Sequence, residues 1–208
     1  MTITVVTAVE SYDLTELATV KAEMGITGST DDTFISRLIT VASDAITTYC
    51  NRQFALARIK ETMQSQGGKN LALSYFPLIT LHTLKYKTVA VTAADYYVER
   101  LNAGIITNID FWENTDQLFS YEADYTYGYV LPSYTATSTL PAAIEQAAID
   151  TVRAMYMLRA RDTTLLTEEL PQVYKAAYSS AASMGGGAGL PAYAASLLDP
   201  YRIRQVLR

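Results

Sequence analysis

Histidine and cysteine are nearly missing from this chain: His82 and Cys50 are the only examples in 208 residues. A lone cysteine excludes a disulfide within the chain and fits a reducing compartment or a disulfide-free assembly. The same scarcity leaves no Cys/His set able to hold zinc. Positive charge is also short. Lys and Arg number 16 against 21 Asp and Glu, a net charge of -5. Because phosphate recognition depends on Lys and Arg, this balance argues against a protein that grips nucleic acid, although it allows an acidic wall beside a DNA path. No stretch approaches the roughly 18 apolar residues that cross a bilayer, and "MTITVVTAVES" lacks a basic start leading into an apolar run. The sequence therefore reads as a soluble, unprocessed, non-membrane protein.

What is present is ordinary globular material, 50% hydrophobic and 18% charged, enough for one sizeable core. Asp13 ahead of "LTELATVKAEMG", with Glu16 three residues on as in a capping box and Gly25 as a left-handed stop, predicts a helix over about 13–25. In "STDDTFISRLITVASDAITTYCNRQF", Thr30 is placed to cap and Asp31 and Asp32 suit the positive helix end. Ile35, Leu38, Ile39, Ala42, Ile46 and Tyr49 then make one stripe, predicting a helix over about 30–51. Pro141 opens a third, about 141–161, in which Ile144, Ala148, Val152, Met155 and Tyr156 keep the apolar period. Arg153 belongs to its solvated or partner-facing side. "QVYKAAYSSAAS" predicts a fourth, about 171–183.

Between about 57 and 130 the pattern changes to runs of Thr, Val, Ile and Tyr punctuated by Gly67-Gly68, Asn102-Ala103-Gly104 and Asn114-Thr115-Asp116, as in an antiparallel meander. In "FSYEADYTYGY" the residues Tyr121, Ala123, Tyr125, Tyr127 and Tyr129 alternate with Glu122, Asp124, Thr126 and Gly128, predicting one buried and one wet face. With 16 tyrosines, this row serves a sheet core or a subunit interface; a sugar- or base-stacking face is the alternative. The fold class expected is α+β: mainly a helical bundle core, an antiparallel β-rich insertion and a tethered C-terminal helical segment. Residues 1–183 would form a single domain and 184–208 the tether and its cargo.

Chemistry finds few footholds. The cluster Gly185, Gly186, Gly187 and Gly189 is followed by Leu190 and Pro191, where a phosphate loop needs Lys and Ser/Thr. It reads instead as a flexible linker. His82 alternates inside a strand-like run with no nucleophile signature near it, so a structural role outweighs a hydrolase built on it. Cys50 reads as a small buried thiol. Asn108, Asp110, Glu113, Asn114 and Asp116 crowd oxygens into "NIDFWENTD", but without the glycine and closing glutamate of a calcium loop. No catalytic residue, cofactor or metal is expected.

The order of motifs resembles the head-tail connector, or adaptor, proteins of tailed bacteriophages, the family that forms the first ring below the portal. Four stretches carry the likeness: "DLTELATVKAEMGI" with "DDTFISRLITVASDAITTYCNRQF"; "YFPLITLHTLKY"; "DYTYGYVLPSYTATSTLPAAIEQAAIDTVRAMYMLRAR"; and "GLPAYAASLLDPYR". Within them Tyr49, Arg52 and Phe54 match the family's helix end. Tyr127, Gly128 and Tyr129 match its turn before the long helix, and Leu197, Leu198, Pro200, Tyr201 and Arg202 its C-terminal signature. The glycine run and the residues after Arg202 depart from it.

The resemblance implies a non-enzymatic ring in the virion neck, with twelve copies as the expected number, made in the host bacterial cytoplasm. It implies a portal protein on one side, a stopper or other head-completion or tail protein on the other, and DNA passing without specific binding. Portal docking falls to Leu190, Tyr193, Leu197, Leu198, Tyr201 and Arg202, with Gly185, Gly186, Gly187 and Gly189 as the hinge. The subunit interface falls to Tyr125, Tyr127, Tyr129 and Arg153. A tail or baseplate module with a carbohydrate-binding tyrosine face is the alternative function.

Overall fold

The structure is a computed structural model describing residues 2–65, 67–113, 121–134, 136–159, 167–170, 174–177 and 189–203. The chain divides into two units, residues 1–11 with 53–130 and residues 12–52 with 131–208. Each has its own buried apolar cluster.

In the first unit, strands β1 (Thr2–Thr7), β2 (Ala57–Met63), β4 (Leu78–Tyr86), β5 (Val89–Ala90) and β8 (Tyr121–Tyr127) form one antiparallel sheet in the order β1-β2-β8-β4-β5. Strands β3 (Asn70–Ala72), β6 (Tyr96–Arg100) and β7 (Ile105–Asn108) form a second, ordered β3-β7-β6. The two sheets share a core: Ile59, Leu84, Ala123 and Tyr125 from the larger meet Leu71 and Ile106 from the smaller, with Trp112 against them. Strand β8 is flanked on both edges, by β2 and β4. Its Tyr121, Ala123, Tyr125 and Tyr127 are buried, as the alternation predicts. The opposite face departs from expectation. Asp124 is also buried, because the Arg58 guanidinium lies over it with paired hydrogen bonds of 2.8 and 3.0 Å to its two carboxylate oxygens. That charge-assisted fork holds the Asp124 carboxyl below its ordinary value.

The second unit holds α1 (Leu17–Met24), α2 (Asp32–Cys50), α3 (Ala142–Arg159), a hairpin of β9 (Thr167–Leu170) and β10 (Tyr174–Ala177), and α4 (Ala192–Leu198). Ile35, Ile39, Ala42, Ile46 and Cys50 of α2 are buried, along with Ile144, Ala147, Ala148, Ile149 and Val152 of α3. The stripes read from the sequence are therefore the packing faces, and small Ala residues let the helix axes come close. Gly25 ends α1 at φ 68, as expected.

The starts differ. Helix α1 begins at Leu17 with Glu16 at the capping position and no side-chain capping bond, so Asp13 does not cap it. Helix α2 begins at Asp32 rather than beside a Thr30 cap, and the Asp31 carboxylate turns to other partners.

Three expectations about architecture are corrected. The protein is mixed α and β with antiparallel sheets, not mainly a helical bundle: β1, from the N-terminus, completes a sheet with its own core. The helix predicted over 171–183 gives way, where residues are described, to β10 paired with β9 in register Tyr174↔Leu170 to Ala177↔Thr167. Last, residues 190–203 pack on helices of their own unit. Gly189, at φ 76, leads into that segment, whereas Gly185, Gly186 and Gly187 of the expected hinge lie outside the described residues. Among the described residues no helix is long and apolar enough to cross a membrane.

Candidate functional site

The C-terminal segment is built by a short stripe. Leu190, Ala194 and Leu198 are each 0% exposed, at the i, i+4, i+8 spacing that lines one helical face. That face is turned inward, with α4 packed on α3. Pro200 allows only a 3-10 turn beyond it, Asp199–Tyr201. The turn then meets the end of α2. The Tyr49 hydroxyl donates to Asp199 Oδ1 at 2.8 Å, and the Arg202 guanidinium lies 4.8 Å from the Tyr49 ring centre. The Ile203 N–H donates to the Cys50 carbonyl at 2.9 Å. The bond to Asp199 raises the Tyr49 hydroxyl above its ordinary value, and burial pushes the Cys50 thiol up to about 11.

Two motifs that the sequence presents 150 residues apart thus form one joint. Tyr49 of the helix end and Arg202 of the C-terminal signature touch through a cation–π contact. Of the six residues assigned to portal docking, Leu190 and Leu198 are buried in the subunit. Leu197 and Tyr201 are half-buried, and Tyr193 and Arg202 are exposed. The outward face of this segment is therefore Tyr193, Leu197, Tyr201 and Arg202, held in place by the inward one.

The tyrosine row sorts differently. Tyr125 is 0% exposed and Tyr127 6%, so their rings belong to the subunit's own core. Of the residues assigned to a subunit interface, only Tyr129 and Arg153 keep accessible surface. Tyr125 also serves a group that the sequence reading missed. Glu61 stands at an inward position of β2, between Ile59 and Met63, and is 1% exposed. Its carboxylate accepts from the Tyr125 hydroxyl at 2.5 Å, from the Ser74 hydroxyl at 2.5 Å and from the Ser74 N–H at 3.2 Å. The Tyr125 oxygen in turn accepts the Tyr75 N–H at 3.3 Å. Burial first, and then the bond to Glu61, drive the Tyr125 hydroxyl far above its ordinary value. The signal in sequence was an acid at an apolar step of a period-2 strand, since such a group survives burial only with dedicated donors. Tyr125→Phe removes one donor from a buried carboxylate and strands an N–H. It is expected to cost about 1–3 kcal/mol, read as a lower midpoint in urea unfolding without loss of cooperativity.

A second polar joint fixes α3 against the start of α2. Asp31 accepts from the Tyr156 hydroxyl at 2.8 Å and from the Arg159 guanidinium at 2.7 Å. Arg159 also sits 4.5 Å from the Phe34 ring centre. The Tyr156 bond, then the Arg159 bond, hold the Asp31 carboxyl below its ordinary value. These groups tie the two helices together.

His82 is exposed on β4, with Nε2 2.9 Å from the Thr126 hydroxyl oxygen, a cross-strand pairing. In the oxygen-rich loop, the Asn108 side chain accepts the Asp110 N–H at 2.9 Å, a local turn. Asn114 and Asp116 lie outside the described residues. A depression of 280 Å³ in the helical unit is lined by Asp13, Thr15, Glu16, Leu17, Ser36, Ile39 and Ser133.

Comparison with known proteins then supplies what side-chain chemistry does not. Residues 13–164 match the model of the family described as head completion protein (HCP), which is most of the chain. The chain belongs to the head completion protein family.

The match takes in α1 through α3 and strands β2 to β8, and it leaves out β1 and the C-terminal joint. Solved structures extend the likeness in fold to the full length. A chain in the "Neck of empty GTA particle computed with C6 symmetry" is similar at TM-score 0.61 and 19% identity, over 100% of this chain and 98% of that one. Chains in the "Virion of native gene transfer agent (GTA) particle" and the "Neck of native GTA particle computed with C12 symmetry" are each similar at TM-score 0.57 and 17% identity, with the same coverage. No curated protein matches the chain in sequence.

Proposed function

We propose that this head completion protein is a structural, non-enzymatic ring subunit of a virion neck. In this role it sits below the portal, holds the next neck or tail protein on its far side and lets DNA pass. The observation that carries the proposal is the end-to-end likeness in fold to chains of a particle neck, within a chain whose family is head completion. Twelve copies accord with the C12 neck, and a sixfold description is a subgroup of the same symmetry. The net charge of -5 per copy, repeated around a ring, disfavours adhesion of a polyanion to the lumen. Nothing favours a carbohydrate platform at Tyr125, since its ring has no exposed surface.

In this proposal the portal meets the outward face of the C-terminal segment. Tyr193, 63% exposed, is the anchor of the kind that interfaces concentrate. The test is native mass spectrometry and electron microscopy of the full chain mixed with its portal. Rings on the portal are expected, and Tyr193→Ala should weaken portal binding at least about tenfold with an unchanged melting temperature. A chain that stays monomeric and indifferent to portal refutes the role. Rings that form while Tyr193→Ala binds normally move the docking face elsewhere.

A further inference from the structure

We infer that β1 is an intersubunit strand: in the ring its free edge pairs antiparallel with the free edge of β4 of a second copy, so that the five-stranded sheet runs on from subunit to subunit. This rests on the ring proposed above. Strand β1 reads Thr-Ile-Thr-Val-Val-Thr, six β-branched residues with no charge, proline or glycine, and all six are exposed. It lies at the end of the sheet, paired on one side only with β2 from Thr2↔Thr62 to Thr7↔Arg58. Edge strands are normally blunted by Lys, Pro or extreme shortness, because an open row of N–H and C=O groups templates further pairing. Here the edge has none of these, and Val5 is 61% and Val6 45% exposed. A segment of that composition left open is an aggregation hazard.

The other end of the same sheet offers the complementary edge. Strand β5 covers β4 only at Lys85 and Tyr86. The Leu84 carbonyl accepts the Val91 N–H at 2.8 Å, and among the described residues no strand pairs with the outer side of β4 from Leu78 to Thr83, a length matched to β1. That end too exposes aliphatic surface, at Ile79 (53%) and Val89 (69%).

Strand parity then selects the occupant. β1, β2, β8 and β4 alternate in direction, and each copy contributes an even number of them, four. A copy related by rotation about a ring axis therefore brings its β1 antiparallel to β4. An odd number would have made that pair parallel. Pairing of β1 with β1 would be isologous and would close at two copies, whereas a ring requires two different surfaces. Curvature is supplied on both strands. Register shifts mark bulges in β4 between Leu78 and Thr80 and between Leu81 and Thr83, and in β1 between Val5 and Thr7. Bulges bend and twist a sheet, as closure demands. At about 4.8 Å per strand, a dozen four-strand steps close a circle about 70 Å across, wide enough to surround a channel.

The experiment is hydrogen exchange on the full chain, free and assembled. Amides of Thr2–Thr7 and of Leu78–Thr83 should slow at least about tenfold in the ring. Val5→Lys places a charge on an exposed edge site and should raise the concentration needed for ring formation at least about tenfold. The monomer's melting temperature should not move. Rings whose β1 amides exchange at the monomer rate, or that form normally from Val5→Lys, overturn the strand pairing and leave the ring standing. Protection of β1 in a dimer without protection of β4 overturns it in favour of the isologous pair. A wild-type chain that never assembles, with or without portal, overturns the ring and this interface together.

Discussion

Leu198→Asp is expected to unfold the helical unit at ordinary temperature or to lower its melting point drastically, a loss above about 4 kcal/mol. Leu198 is 0% exposed on the face of α4 that packs against α3. The substitution deletes the aliphatic contact and puts a carboxylate where no donor waits. Total stabilities of domains are about 5–15 kcal/mol, so one such change consumes a large part. Deletion of residues 189–208 should act in the same direction. It uncovers the α3 surface beneath Leu190, Ala194 and Leu198 and removes Asp199 and Arg202 from Tyr49. Tyr193→Asp, on the exposed side of the same short helix, should stay within about 0.5 kcal/mol. Thermal unfolding followed by far-UV circular dichroism separates these outcomes. A truncated chain that melts cooperatively at the wild-type temperature would show that the segment contributes nothing to the fold.

The contrast bears on how the C-terminus would act in the portal docking proposed above. A portal-docking element on a free tether would pay for its ordering at the moment of binding. One seated on α3 and on the end of α2 is ordered beforehand, and its exposed face presents Tyr193, Leu197, Tyr201 and Arg202 in a fixed array. The structure favours the second, because the inward stripe is fully covered and the backbone is tied at Ile203 to Cys50.

The elements legible in the sequence are those whose pattern is local. The stripes of α2 and α3 and the alternation of β8 follow from period and composition, and Gly25 marks a stop that needs φ above zero. What escaped is set by partners far along the chain. Strand β1 earns its conformation from β2, with Thr2 opposite Thr62, and with every residue exposed it carries no burial period to read. In β10 a run with good helix formers pairs with β9 instead, a case of tertiary pairing overriding propensity. The joint of Tyr49, Asp199 and Arg202 was visible as two motifs but not as one, since nothing in the spacing tells that the end of α2 and the end of the chain meet. At the capping position of α2, Asp31 is likewise drawn to partners far along the chain. Capping preference is worth about 1 kcal/mol, and the Tyr156 and Arg159 contacts to Asp31 outcompete it at the start of α2.

Gly128→Ala should be the most damaging single change in the sheet unit, because two independent costs fall on one methyl group. Gly128 holds φ at 99, outside the region that residues with a side chain tolerate. A Cβ there would also drive into the Ala55 carbonyl and lie 2.9 Å from the Phe54 oxygen. Both neighbours are backbone, so no rotamer change makes room. The turn cannot swing away either: the Gly128 N–H donates to the Pro77 carbonyl at 3.0 Å and the Tyr129 N–H to the Phe54 carbonyl at 2.7 Å. Relief would have to break one of these bonds or shift β8 between its two neighbours. Strain of this kind costs about 1–3 kcal/mol by itself, and the steric term brings the expected loss to at least about 4 kcal/mol. Ser74→Ala serves as a comparison inside the same unit. It takes one hydroxyl from Glu61 and should cost about 1–3 kcal/mol. Urea unfolding followed by tyrosine fluorescence would order the two. A Gly128→Ala protein as stable as the wild type would mean that the Tyr127-Gly128-Tyr129 turn does not hold the φ seen here, and that its match to the connector pattern has some cause other than backbone geometry.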